Sequence, residues 1–297
     1  MLIKRSQSLA ALAAFRPDVS RLCYNWMKFP SSIWIRLLLS CGIPGPESSA
    51  EDISVLVRRI YSDETSVVNK ISTLVAGSSN GQQVIFIHGT PGSAEGWADF
   101  LITVPPGFQY IALDRPGFGW SDPDHAVVLM ADQAKAVSVL IKNCFGHKPI
   151  LVGHSLGGPI VAWVAATQPD TISGIVIAAG SLDPSQERIH PLQRLGASWP
   201  IHTLLPRSVR NANRELIALK TELKNLHPLL RKIRVPVMIL HGTEDDLVPY
   251  QNVEYMQCNL TGTEKVTLKR LEGFNHFLPW RAKAHIETAI MNLAKKQ

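Results

Sequence analysis

The chain has 297 residues, 45% of them apolar and 18% charged, with a net charge of +6 and a mean hydropathy of +0.06. That balance argues against a disordered or fibrous chain and fits one large domain with a sizeable core better than two ordinary ones. Four scattered cysteines, Cys23, Cys41, Cys144 and Cys258, argue against a disulfide framework or a cysteine metal site, and no run of 18 apolar residues marks a transmembrane helix.

The positive charge is unevenly placed. Residues 1–46 carry Lys4, Arg5, Arg16, Arg21, Lys28 and Arg36 against Asp18 alone. The same stretch concentrates Trp26, Phe29, Ile33, Trp34 and Leu37 to Leu39, with Pro30 dividing it. It reads as a basic, apolar N-terminal extension that either lies on an anionic membrane surface or covers apolar surface on the following domain. The run Ser8 to Phe15 is short and Ala-rich for a signal-peptide core. The expected location is cytoplasmic, peripheral on a membrane if the extension docks there. No nucleic-acid motif accompanies the charge, and a solvated basic face is its plain alternative. Gly42 to Ser49, with Pro44 and Pro46, is the linker to a domain spanning 47–297.

Ile53 to Tyr61 and Val67 to Ala76 predict two opening strands, an antiparallel pair. Val84 to Ile87 is a third, running into His88-Gly89-Thr90-Pro91-Gly92. Trp97 to Val104 predicts a short helix stopped by Pro105-Pro106. Ile111 to Leu113 is a strand ending in Asp114-Arg115-Pro116-Gly117-Phe118-Gly119. Val127 to Cys144 predicts a long amphipathic helix ended by Gly146. Ile150 to Val152 and Ile175 to Ala179 are continuous apolar strands. Such runs, without polar alternation, indicate parallel strands buried on both faces. Residues 181–233 interrupt the strand–helix alternation with five prolines and a helical stretch from Asn213 to Leu226. Strands Val237 to Leu240 and Val266 to Leu271 follow, with late helices over Val248 to Leu260 and Arg281 to Ala294.

The chemistry centres on Gly153-His154-Ser155-Leu156-Gly157, set between a strand pattern and a helix pattern. A serine at a sharp strand-to-helix turn sits in strained backbone, so small residues flank it two positions away on each side. The turn exposes the hydroxyl and aims the Leu156 amide at a helix N-terminus, where an anion is favoured. A serine hydroxyl needs a base to accept its proton. His276 follows a late strand, whereas His88 and His241 sit in His-Gly turns and His154 precedes the serine, positions suited to bracing. Glu244, Asp245 and Asp246 are consecutive candidates for the acid that orients the base. Asp114 suits fixing a turn through local amides.

Taken together these segments resemble the α/β-hydrolases, whose H-G-x-P-G, D-x-P-G-x-G-x-S, G-H-S-x-G-G, H-G-x-x-D and G-x-x-H-F motifs match in order over roughly residues 53–294. The order Ser, Asp, His is one of those known for this constellation. The resemblance implies an α/β-hydrolase fold: a mostly parallel central sheet, helices on both faces and a small lid at about 181–233. It implies Ser155 as nucleophile, Asp245 as the acid, His276 as base, and the Thr90 and Leu156 amides as an oxyanion hole. Trp97, Phe118, Trp120 and Phe277 are the expected substrate-binding side chains. Serine at the elbow departs from the dehalogenases and epoxide hydrolases of this fold, which use Asp there. The expectation is a carboxylic ester hydrolase acting on a small-molecule or lipid ester, monoacylglycerol or lysophospholipid in type, with no cofactor or metal. A thioesterase, a carbon–carbon bond hydrolase and a non-enzymatic ligand receptor on the same fold are the alternatives.

Overall fold

The computed structural model describes residues 56–62, 68–144, 146–263 and 265–295. The expectations placed on residues 1–46, including the membrane-docking extension, lie outside the described residues. The β-branched runs form an eight-stranded sheet: β1 (Val57–Ser62), β2 (Lys70–Gly77), β3 (Gln82–Ile87), β4 (Phe108–Leu113), β5 (Ile150–His154), β6 (Gly174–Ala178), β7 (Val237–Gly242) and β8 (Val266–Leu271). Their order across the sheet is β1-β2-β4-β3-β5-β6-β7-β8. The β1–β2 and β2–β4 pairs are antiparallel; every pair from β4 through β3 to β8 is parallel.

The lack of alternation in the central strands has a direct cause. Ile85, Ile87, Leu151, Ile175, Ile177 and Ile239 point into one apolar cluster, and Val84, Phe86, Ile150, Val152, Val176 and Leu240 into another. The first is closed by α2 (Met130–Lys142) and α3 (Gly157–Thr167), the second by α1 (Ala98–Leu101) and α9 (Lys283–Ala294). Each strand therefore buries both side-chain rows, as parallel strands under two helical layers do. This is the α/β architecture that the resemblance implied.

Between β6 and β7 lie α4 (Pro191–Ala197), α5 (Ile201–Leu204) and α6 (Arg207–Leu230), in the place expected for the lid. At 24 residues, α6 begins two turns earlier than its apolar spacing indicates. Its first turns are held by polar contacts instead. Arg207 donates to the carbonyls of Gly119, Ser121 and Pro123, and Asn211 to those of Gly117 and Asp124. The helix predicted over Val127 to Cys144 is shorter, because Glu222 of α6 accepts from the Met130 amide at 2.8 Å and caps α2 there. α7 (Gln251–Asn259) and α8 (Leu278–Arg281) complete the described helices. None is long and apolar enough to cross a membrane.

Candidate active site

Ser155 leaves β5 at φ +54°, a conformation non-glycine residues rarely adopt. Neighbouring backbone shows why the turn tolerates no bulk. A Cβ on Gly153 would meet the Gly157 carbonyl at 2.2 Å, and one on Gly157 the Ile87 carbonyl at 2.3 Å. The resulting turn presents a half-buried Ser155 at the start of α3, next to the helix N-terminus. Across from it runs the loop after β3: a Cβ on Gly89 would lie 2.8 Å from Ser155 Cβ and 3.3 Å from its Oγ. Thr90, the next residue, is buried, as is Leu156 on the far side of the serine.

His276 and Asp245 come from the loops after β8 and β7. His276 Nδ1 lies 2.9 Å from Asp245 Oδ2, and both side chains are buried. The other carboxylate oxygen, Oδ1, accepts from the Leu247 and Val248 amides at 3.0 and 2.8 Å. Burial alone would raise the Asp245 pKa. The neighbouring His276, these hydrogen bonds and His241 outweigh burial and hold it below its ordinary value. An ionised Asp245 can only accept, so Nδ1 carries the His276 proton and Nε2 is left as the basic nitrogen. Glu244 and Asp246, the acids on either side, are exposed. Among the described residues Ser155 Oγ and His276 form no hydrogen bond. They are linked instead through His154, whose Nε2 lies 2.9 Å from the His276 carbonyl and whose ring sits 4.9 Å from the His276 ring.

His88 and His241 brace turns. His88 Nε2 accepts from the Arg115 amide at 3.0 Å, so its Nδ1 donates to the Gly89 carbonyl at 2.7 Å. Burial first, and then the Arg115 charge, hold His88 well below its ordinary pKa. Burial likewise pulls His241 down, with its Nε2 on the Val248 carbonyl at 2.9 Å. Asp114 fixes the turn after β4, accepting from the Ala94 and Trp120 amides and pairing with Arg58 at 2.6 Å.

Two of the expected substrate-binding aromatics need correction. Trp97 is 1% exposed and stacks within the core on Phe86 and Phe100. Phe118 is equally buried, edge-on to His88 and 4.7 Å beneath the Arg115 guanidinium. Both reinforce the loops that build the site and have no surface to offer a ligand. Trp120 is exposed, with Arg58 5.6 Å over its ring. Phe277 is half-buried, with its ring 5.9 Å from that of His276.

A buried polar network went unnoticed in the sequence. Arg115 pairs in bidentate fashion with Glu215 of α6, at 2.7 and 3.0 Å, and Glu215 also accepts from Thr90 Oγ1 at 2.6 Å and from Gln133 at 3.0 Å. Its sequence signal is faint: acids at 215 and 222, seven apart and so on one helix face, in a segment otherwise rich in Arg and Lys. Among the described residues no group of three or more His, Cys, Asp or Glu side chains is placed to hold a metal ion.

A family model described as the α/β-hydrolase fold matches residues 83–201. A non-heme chloroperoxidase of Streptomyces lividans is 27% identical over 244 residues, covering 67% of this chain and 87% of its own length. Among solved structures, the 2-hydroxy-6-oxo-6-phenylhexa-2,4-dienoate hydrolase of Rhodococcus sp. strain RHA1 superposes with a TM-score of 0.63 at 16% identity, over 81% of this chain and 99% of that one. The monoacylglycerol lipase of Paleococcus ferrophilus does so with a TM-score of 0.60 at 20% identity, over 80% of this chain and all of its own. At such identities the structural likeness is one of fold.

Proposed function

We propose that this chain, a member of the α/β-hydrolase fold family, is a serine hydrolase that cleaves a carboxylic ester through an acyl-enzyme. The observation that carries this reading is the buried His276–Asp245 pair at 2.9 Å, set beside an elbow whose serine is held at φ +54°. In the first step Ser155 Oγ bonds to the ester carbonyl carbon as its proton passes to His276 Nε2. Negative charge collects on the carbonyl oxygen, for which the Thr90 and Leu156 amides are the proposed donors. The carbon–oxygen bond to the alcohol then breaks, and His276 returns the proton to the departing oxygen. Water, deprotonated by the same nitrogen, attacks the acyl carbon and releases the acid and Ser155. Asp245 holds the Nδ1–H tautomer and stabilises the transient imidazolium.

The substrate class we favour is a lipid-like ester. Its support is the apolar, basic composition of residues 1–46, together with Trp199 and Leu204, which stand 80% and 81% exposed on the lid. We take that N-terminal stretch as a docking segment for an anionic membrane, worth about 1 kcal/mol per basic residue and screened by salt.

Reaction with a fluorophosphonate probe, followed by a panel of esters of rising chain length, tests the reading. The expected result is a covalent adduct on Ser155 and turnover that rises with acyl length. A wild-type chain that takes no label overturns it, as would be expected of a ligand receptor. Faster cleavage of matched thioesters, or of a vinylogous carbon–carbon substrate, transfers the assignment to those classes.

A further inference from the structure

We infer that Glu215, contributed by the lid helix α6, is a positioning residue for the oxyanion site, holding Thr90 in place through its hydroxyl. The inference rests on the serine-hydrolase reading and deepens it, because it gives the lid a part in the chemistry as well as in substrate access.

The Gly89–Thr90 segment is gripped at two points. At the first Arg115 donates through Nε to the His88 carbonyl at 2.9 Å and through Nη2 to the Gly89 carbonyl at 3.0 Å. His88 Nδ1 adds a second donor to the Gly89 carbonyl. The Gly89–Thr90 peptide is not among the cis bonds, so it is trans and planar, and its N–H points away from its C=O. Fixing the Gly89 carbonyl against Arg115 and His88 therefore turns the Thr90 N–H to the opposite side. At the second Thr90 Oγ1 donates to Glu215 Oε2 at 2.6 Å, a charge-assisted bond between buried groups, and the same oxygen accepts from Arg115 Nη2. That bond fixes the rotation of Thr90 about the axis that the peptide plane leaves free.

The two grips depend on one another. Arg115 is fully buried, and among the described residues the only carboxylate paired with it is Glu215, from an element 100 residues away. Gln133 of α2 donates to Glu215 Oε1 and so ties α6 to the helix beneath it. The carboxylate thus accepts four hydrogen bonds with both oxygens used, which leaves it no freedom to rotate. An oxyanion donor must stand where charge develops, and a displacement of about 1 Å costs on the order of a hundredfold in rate.

Thr90→Val keeps the shape of residue 90 and its amide but deletes the hydroxyl; Thr90→Ser keeps the hydroxyl. With p-nitrophenyl butyrate, Thr90→Val is expected to lower kcat by roughly ten- to a hundredfold with KM within twofold. Its affinity for a boronic acid, which forms a tetrahedral adduct on serine, falls in parallel. Binding of the product carboxylate does not change. Thr90→Ser restores both kcat and boronate affinity, a rescue that a purely packing role for the methyl group would not give. A fluorophosphonate-reactive wild type with an unimpaired Thr90→Val, or a Thr90→Ser as poor as Thr90→Val, overturns this inference alone. A wild type inert to the probe overturns the serine-hydrolase reading and this inference with it.

Discussion

His154 Nε2 donates to the backbone carbonyl of His276 at 2.9 Å, tying the residue before the elbow serine to the segment that carries the base. A carbonyl can only accept, so Nε2 of His154 carries a proton, and burial keeps the ring neutral. Burial, followed by the neighbouring His276, pulls its pKa down to about 3 from the ordinary 6.5.

The burial of His154 makes the fold acid-labile. Between pH 6.5 and about 3 the unfolded chain protonates His154 and the folded chain does not. Stability is therefore complete above pH 6.5 and falls as pH drops, by about 1.4 kcal/mol per pH unit. His88 and His241 are shifted in the same direction and steepen the slope. Asp245, held below its ordinary value, adds its own loss only under more acid conditions. Urea melts of His154→Gln between pH 7 and 4 should show a slope shallower by about one proton; an unchanged slope would contradict the neutral assignment.

Ser155→Ala should abolish ester hydrolysis by about a millionfold without lowering thermal stability, since the hydroxyl projects from the turn and fills no core space. Activity above a few per cent of wild type in a normally folded variant removes Ser155 from its role.

The neighbouring acids should separate cleanly. Asp245→Asn, which upsets the tautomer of His276, is expected to lower turnover by roughly ten thousandfold. Asp246→Asn, at an exposed position, should change it little. Steady-state kinetics of the two decide the register, and a dead Asp246 variant would move the acid by one residue.

Glu215→Ala leaves Arg115 buried and unpaired, and should cost about 3–5 kcal/mol in urea unfolding. Adding Arg115→Met recovers only part of that, because the His88 and Gly89 carbonyls then lose a donor. A single variant within about 1 kcal/mol of wild type would show that the pair contributes little.

The parallel core was legible because Val84 to Ile87, Ile150 to Val152 and Ile175 to Ala178 are apolar at every position, which only a doubly covered strand permits. Ser155, Asp245 and His276 were nominated by motifs at strand ends, and the structure sets the last two 2.9 Å apart. The start of α6 was not legible, since Arg207 and Asn211 are held by loop carbonyls and Arg210 by the Asp124 carboxylate, which leaves no apolar period. Trp97 and Phe118 misled for a related reason. Proximity to a functional turn says nothing about which face of that turn a ring occupies, and both rings lie on the inner face. The Arg115–Glu215 pair joins residues 100 apart, a contact that no local pattern encodes.

Glu215 and Glu222 bear on how this fold could diversify. The insertion has its ends near 181 and 233, yet its last helix supplies the counter-ion of Arg115 and the cap of α2. A graft exchanged at those ends would carry off both carboxylates and leave the recipient core with an orphaned cation and an uncapped helix. The interchangeable cassette is smaller, confined to α4 and α5 and stopping short of Arg207. Donor caps joined there can alter what enters the site while the carboxylates of α6 stay behind.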